Sequence, residues 1–469
     1  MVDKGVEGMG EEIDYKNFLQ NKIIAHTPSG FEVNVNDLNP MLFDWQKIIV
    51  RWALYKGTSA LFEDCGLGKT PQQLEWAWQI YNKTGKNILI LAPLAVSLQT
   101  KREGEKFNIP VNVCKSQGDV KAGINITNYE RLTAFDPFQF IGIVLDESSI
   151  LKNFMGKYRN QIIASFLNTP YKLACTATPA PNDYTEIGNT SEFLGVMTRP
   201  EMLSMFFIND AGDTGKWRLK GHVKNNLFWE WLSSWAIMMR KPSDIGFEDG
   251  AFILPPLEIH EHVIPFRGLR ETLFVEPAST LSDRRRARTD CLTEIVSVAA
   301  EMINKNGSKW IAWCNLNVES DLLKRTIKES VEVKGSDAPE HKESALLCFA
   351  NGEIKALVSK PRIAGFGMNF QNCHNMVFVG LSDSYEQFYQ AVRRCWRFGQ
   401  SEKVNAYIIT GEKEGNVVEN IKRKESDMMA MFNGMVGQMS RLMRDELTQF
   451  KKTKTDYYPK IEMKMPRFI

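Results

Sequence analysis

A chain of 469 residues, 43% hydrophobic and 24% charged, has the makeup of a globular protein of about two to three domains, each large enough for its own core. A net charge of +2 is too small to mark a nucleic-acid binder, so any such surface has to come from charge asymmetry. Eight scattered cysteines, with no C-x-x-C pair among them, argue against a zinc module and a disulfide framework and point to reduced thiols. The polar start from Met1 to Lys4 does not read as a signal peptide, and no apolar run approaches a membrane span. The expectation is a cytoplasmic protein with no membrane partner.

Residues 1–40 carry little pattern and read as a lead-in. From Met41 a helix is expected, with Leu42, Trp45, Ile49 and Trp52 near helical spacing. The run Ser59-Ala60-Leu61-Phe62 has strand character and stops at Glu63-Asp64-Cys65-Gly66-Leu67-Gly68-Lys69-Thr70. Glycines let such a loop turn its N–H groups onto phosphate oxygens. Lys69 then reaches the terminal phosphates, the Thr70 hydroxyl can ligate magnesium, and Pro71 suits the first turn of the following helix. Glu63 stands where the strict G-x-x-x-x-G-K-[ST] pattern has its first glycine, so a plain strand-to-helix turn remains the alternative for this fragment alone.

Strands and helices then alternate. Ile88–Ala92, ended by Pro93, and Ile124–Thr127 read as strands. Ile141–Leu145 runs into Asp146-Glu147, and Lys172–Cys175 runs into Thr176-Ala177-Thr178-Pro179. Continuous apolar strands between helices indicate a parallel sheet covered on both faces. Residues 185–250 read as a helical insertion, and 251–290, with Leu254-Pro255-Pro256, as a linker. A second alternating set begins near Trp310 and includes strands at Ala356–Val358, Met376–Val379 and Ala406–Ile409. The last residues, 413–469, read as a methionine-rich helix and a basic tail.

The pair Asp146-Glu147, at the end of a strand, supplies the acidic half of a nucleotide site. The aspartate holds magnesium, and the glutamate orients and deprotonates the attacking water. Charge on the transferred phosphoryl group needs arginine from elsewhere. On a helix Gln390, Arg394 and Arg397 share one face, although a solvated basic helix has the same composition.

Taken together, these blocks resemble the superfamily-two helicases, most closely the Swi/Snf-like DNA translocases of compact bacterial or phage type. Leu42–Gln46 is similar to the upstream motif that contacts adenine. Glu63–Thr70 is similar to the family's phosphate loop, which also carries an acidic residue in place of the first glycine. Thr127–Glu130, the acidic box Asp146–Asn153, Thr176–Pro179, Ser359-Lys360 with Ala364–Phe370, and Gln390–Gln400 follow in the family's order. Two departures stand out. Ser149 replaces the histidine of the acidic box, and Arg393 stands where an acidic residue is more usual.

The resemblance implies an α/β fold of two RecA-like parallel-sheet lobes in tandem, spanning residues 41–184 and 291–412, that close on ATP and Mg2+. It implies ATP binding by Gln46, Gly66, Leu67, Gly68, Lys69 and Thr70, and Mg2+ binding by Thr70 and Asp146. It assigns catalysis to Lys69, Glu147, Arg394 and Arg397. Coupling falls to Thr176, Thr178 and Gln390, and nucleic-acid contact to Pro93, Asn128, Tyr129, Lys360, Arg362 and Asn369. The expected function is an ATP-dependent helicase or translocase on double-stranded or branched DNA. The alternatives are unwinding of single-stranded DNA or RNA, and an ATP-switched nucleic-acid binder with little turnover.

Weaker signals remain. Gly212–Lys216 mimics a phosphate loop but follows no apolar strand, and reads as a surface turn. Trp229, Trp231 and Trp235 could stack bases, but their spacing favours packing. His260 and His262 share a strand face without a third metal ligand nearby. The Arg284–Arg288 cluster either grips phosphates or is solvated linker, and its place between lobes favours DNA. The C-terminal methionines (428, 429, 431, 435, 439, 443) read as a docking surface for a protein partner. The tail with Lys451, Lys452 and Lys454 reads as an arm for DNA or a partner.

Overall fold

The computed structural model describes residues 26–93, 96–181, 183–209, 217–221, 227–265, 281–305, 307–364, 369–381, 384–412 and 416–451. In the first lobe, strands β1 (Thr58–Glu63), β2 (Ile88–Ala92), β3 (Val111–Val113), β4 (Ile124–Asn128), β5 (Gly142–Asp146) and β6 (Tyr171–Thr176) are apolar runs. All positions of β1, β2, β4 and β5 are buried, as a sheet covered on both faces requires. A small antiparallel hairpin, β7 (Phe207–Asn209) and β8 (Trp217–Leu219), stands apart. β9 (Ala236–Met239) then joins the main sheet, whose order is β3-β4-β2-β5-β6-β1-β9, parallel throughout.

The second lobe holds β10 (Leu257–Ile264), β11 (Trp310–Trp313), β12 (Ser330–Val333), β13 (Ala356–Ser359), β14 (Asn375–Phe378) and β15 (Val404–Gly411). These form a second parallel sheet in the order β10-β15-β14-β11-β13-β12. The two tandem parallel sheets with covering helices form an α/β architecture of two RecA-like lobes.

Three segments differ from expectation. The 185–250 stretch contains helices at Ile187–Leu194, Arg199–Phe206 and Leu227–Ser233, but it also carries β9 into the first sheet beside β1. Ala236-Ile237-Met238-Met239 is a short apolar run, and periodicity alone cannot separate a buried strand from buried helix. The 251–290 linker contains β10, paired along its length with β15. As an edge strand it is largely exposed, and it contains the strand face expected at His260 and His262.

The third is the C-terminal helix, Asn416–Lys451. Ile421 packs in the second lobe's core, whereas Phe432, Met435, Val436, Met439, Met443 and Leu447 are buried in the first lobe's core. The Met238 N–H donates to Met443 Sδ at 3.2 Å, and Arg240 Nη1 donates to Asn433 Oδ1 at 2.7 Å. The expected docking surface is therefore occupied by this chain's own first lobe. A methionine stripe reveals an apolar face but not what covers it.

Trp231 and Trp235 are fully buried and Trp229 nearly so, which makes them packing residues. The His260 ring stacks on Tyr407, with centroids 4.7 Å apart. Gly212–Lys216, Gly365–Met368, the side chains of Arg284–Arg288, Met428, Met431 and Lys451, and residues Lys452 and Lys454 lie outside the described residues.

Candidate active site

β1 delivers the chain to the carboxyl edge of the first sheet, where the loop 63–68 turns into the Lys69–Thr84 helix. The turn needs left-handed backbone at Gly66 (φ 92°) and Gly68 (φ 77°), which glycine adopts without steric cost. A Cβ on Gly68 would also lie 2.5 Å from Gln46 Nε2. Gln46 fills that space: its Nε2 donates to the Leu67 carbonyl at 2.9 Å, and its Oε1 accepts from the Phe43 N–H at 3.1 Å. Gln46 thus braces the phosphate loop from behind. Lys69 Nζ donates to the Glu63 carbonyl at 2.7 Å and the Asp64 carbonyl at 3.1 Å. The ammonium is held inside the loop that an anion would enter.

β6 lies beside β1 and β5 beside β6, and the end of β5 brings Asp146 and Glu147 to the same edge of the sheet. Asp146 Oδ1 accepts from Gln73 Nε2 at 2.8 Å, and the Asp146 carbonyl accepts from the Tyr129 hydroxyl at 2.6 Å. Glu147 is held in left-handed backbone (φ 57°), uncommon for a non-glycine residue and a mark of a constrained site. Thr176 Oγ1 stands 3.5 Å from Glu147 Oε2. Burial pushes both carboxyls above their usual range, while the charges of Lys69 and Arg394 pull them back.

The second lobe closes the cleft. Cys65, Gly66, Gly68, Lys69, Thr70, Asp146 and Glu147 line it from one side, and Asn369, Arg394 and Arg397 from the other. Burial, with Arg394 as its neighbour, lowers the Arg397 guanidinium to about 10. Two adjacent guanidinium groups with this electrostatic conflict form an anion-seeking arrangement. Arg393 points elsewhere. Its Nη2 lies 3.1 Å from Asp64 Oδ2 and donates to the Cys65 carbonyl. Of the three arginines, Arg394 and Arg397 line the cleft and Arg393 does not.

The helix Tyr385–Val392 makes a second crossing. Lys152, which trails the acidic box, pairs with Glu386, and Glu386 Oε1 accepts from Thr178 Oγ1 at 3.5 Å. Gln390 is buried on the same helix. Lys152 stood out in the sequence only as the end of the acidic box, and Glu386 not at all, because its charge is an ordinary one until the lobes are brought together. Gln73, Val96, Gln99 and Thr100 were missed for the same reason: nothing in their spacing marks them.

The expected nucleic-acid residues divide. Pro93 and Asn128 stand at the carboxyl ends of β2 and β4. Lys360 and the exposed Arg362 follow β13, with Lys360 Nζ donating to Asn317 Oδ1 at 2.6 Å. Tyr129 is 4% exposed and its hydroxyl donates to the Asp146 carbonyl, so it braces the acidic strand. Asn369 lines the cleft with the arginines.

Against known families, the SNF2-related domain matches residues 45–201 and the helicase conserved C-terminal domain matches residues 288–399. The chain is 20% identical over 452 aligned residues to the chromatin remodeling factor mit1 of Schizosaccharomyces pombe, covering 80% of this chain and 32% of that protein. It is 23% identical over 216 residues to the CHD3-type chromatin-remodeling factor CHR7 of Arabidopsis thaliana, covering 41% of this chain and 17% of that one. The chain spans a third or less of the length of these curated relatives.

Proposed function

We propose, for a chain that belongs to the Swi/Snf-like superfamily-two helicases and carries their ATPase, that it couples ATP hydrolysis to movement along DNA, with duplex or branched DNA favoured. The observation that carries this reading is the two-sided cleft. Arg394 and Arg397 of the second lobe face Lys69, Thr70, Asp146 and Glu147 of the first. A protein that only binds ATP as a switch needs neither a positioned base nor arginines on the far wall.

ATP would seat its phosphates on the 63–70 loop, where Lys69 exchanges the Glu63 and Asp64 carbonyls for phosphate oxygens. The Thr70 hydroxyl and the Asp146 carboxylate are oxygen donors on one wall of the cleft, a set that fits Mg2+. When bound, that ion would neutralise charge on the phosphates. Glu147, with a proton affinity raised by burial, would take the proton of the attacking water. Arg394 and Arg397 would neutralise the transferred group, so hydrolysis would depend on lobe closure.

Pro93, Asn128, Lys360 and Arg362 are the DNA contacts of this reading. They lie at the carboxyl ends of strands in both sheets, where loops of parallel sheets gather binding residues.

The test is ATP turnover with duplex DNA, single-stranded DNA, RNA and no nucleic acid, with Lys69→Ala and Glu147→Gln as controls. The expected result is strongest stimulation by duplex DNA, and loss of turnover in both variants by a factor of about a hundred or more. Strongest stimulation by RNA would overturn the substrate assignment, and absence of turnover with every substrate would favour an ATP-switched binder.

A further inference from the structure

Arg393 is one of the two residues whose type departs from the family pattern, and its side chain does not join the neighbouring arginines in the cleft. It is nearly fully buried at the lobe junction, with only 4% of its side chain exposed against 9% for Asp64. The guanidinium reaches Asp64 Oδ2 and the Cys65 carbonyl, both in the first lobe's phosphate loop. It packs over the Trp396 ring at 4.9 Å and near Tyr389 at 5.7 Å, which fixes the plane of the fork. Asp64 in turn accepts from the Cys65 N–H at 2.6 Å and from the Tyr389 hydroxyl. One carboxylate thus gathers a loop amide, a tyrosine and an arginine, the last two from the other lobe.

We propose that Arg393, with Tyr389, is an interlobe positioning residue: it ties the second lobe to Asp64 and Cys65 of the phosphate loop and holds the lobes together before nucleotide arrives. None of these contacts needs a phosphate. The tie sets the loop's shape at Cys65 and the standing distance between Lys69 and the arginines Arg394 and Arg397, which lie one and four residues after Arg393. A buried charge pair with additional hydrogen bonds on each partner has defined geometry and is little screened by salt. Removing one partner leaves the other charge buried and uncompensated, and opening the lobes returns that remaining charge to water. The loss of Arg393 therefore favours the open arrangement. ATP then has to bring the lobes together itself, which weakens its apparent affinity by the fraction already closed.

The primary measurement is small-angle scattering of the full chain without nucleotide or DNA, for wild type, Arg393→Ala, Tyr389→Phe and the exchange Asp64→Arg with Arg393→Asp. Wild type is expected to be compact and Arg393→Ala expanded. Tyr389→Phe, which removes one hydroxyl, should shift the same way by less. The exchange should return toward wild type. The kinetic measurement rests on the ATPase reading: Arg393→Ala should raise KM for ATP about tenfold, with kcat lowered less than threefold.

A merely structural role would lower thermal stability without separating KM from kcat and without rescue by the exchange. Identical scattering of wild type, Arg393→Ala and Tyr389→Phe would overturn the proposal. Should Arg393→Ala fail to fold, Tyr389→Phe alone decides it. Because scattering is read without nucleotide, absence of ATP turnover would count against the ATPase reading and leave this one to stand or fall separately.

Discussion

Glu63 shows how far one residue can be read from its type alone. In the sequence it is a blemish in a glycine pattern. In the structure it is fully buried under the phosphate loop, its Oε2 accepts from Gln72 Nε2 at 2.8 Å, and its Oε1 has no hydrogen-bond partner among the described residues. Burial pushes its pKa up to about 7, against the opposing effects of Lys69 and Gln72. The native state therefore holds this proton more tightly than the unfolded chain does. Stability from this group is present at low pH and is lost as pH rises from about 4.5 toward 7, by about 3 kcal/mol. Glu63→Gln keeps the shape and removes the titration. Thermal unfolding of wild type should lose more stability between pH 5 and pH 7.5 than that of Glu63→Gln, and parallel pH profiles would refute the assignment. The residues legible beforehand were those whose spacing is itself chemical, such as Gly66, Gly68, Lys69, Thr70 and Asp146-Glu147. Those that were not, such as Gln73, Glu386 and Tyr389, act through partners far away in sequence, and no local pattern encodes such a contact.

Among elements, the apolar strands were legible because a doubly covered parallel sheet writes itself as continuous runs. β3, β9 and β12, each only three or four residues long, were not, and of the exposed edge strand β10 only the face with His260 and His262 was. The C-terminal helix lies between these cases. Its stripe was visible, but its occupant was not. With Met439 fully buried among first-lobe residues, Met439→Ala should cost about 2–5 kcal/mol, while Met439→Leu should cost less than about 1.5 kcal/mol. The exposed Glu419→Ala, on the same helix, should stay within about 0.5 kcal/mol. Denaturant midpoints of the first-lobe transition check all three, and equal effects of Met439→Ala and Glu419→Ala would show that the helix is not anchored there.

For the whole molecule, two kinds of electrostatics should respond differently to salt. DNA held by phosphates releases counterions, so the DNA concentration that half-saturates stimulation should rise steeply between about 50 and 200 mM salt. The KM for ATP depends on a cleft whose charges are largely buried, and should rise far less over the same range. A flat salt response of DNA stimulation would mean that phosphate contacts do not dominate. This prediction belongs to the assembled protein, since the net charge of +2 gives no hint of it.

The Asn416–Lys451 helix has a topological consequence as well. The chain leaves the first sheet at β9, builds the second lobe from β10 to β15, and returns to the first lobe's core through Met435, Met439 and Met443. The second lobe is thus an insertion within the first, moored by residues 240–256 on one side and by the returning helix on the other. A body on one leash can tumble, whereas a body on two is confined to swinging about the line that joins its moorings. Its local concentration opposite the phosphate loop stays high at every stage, so a few contacts suffice to bring it home.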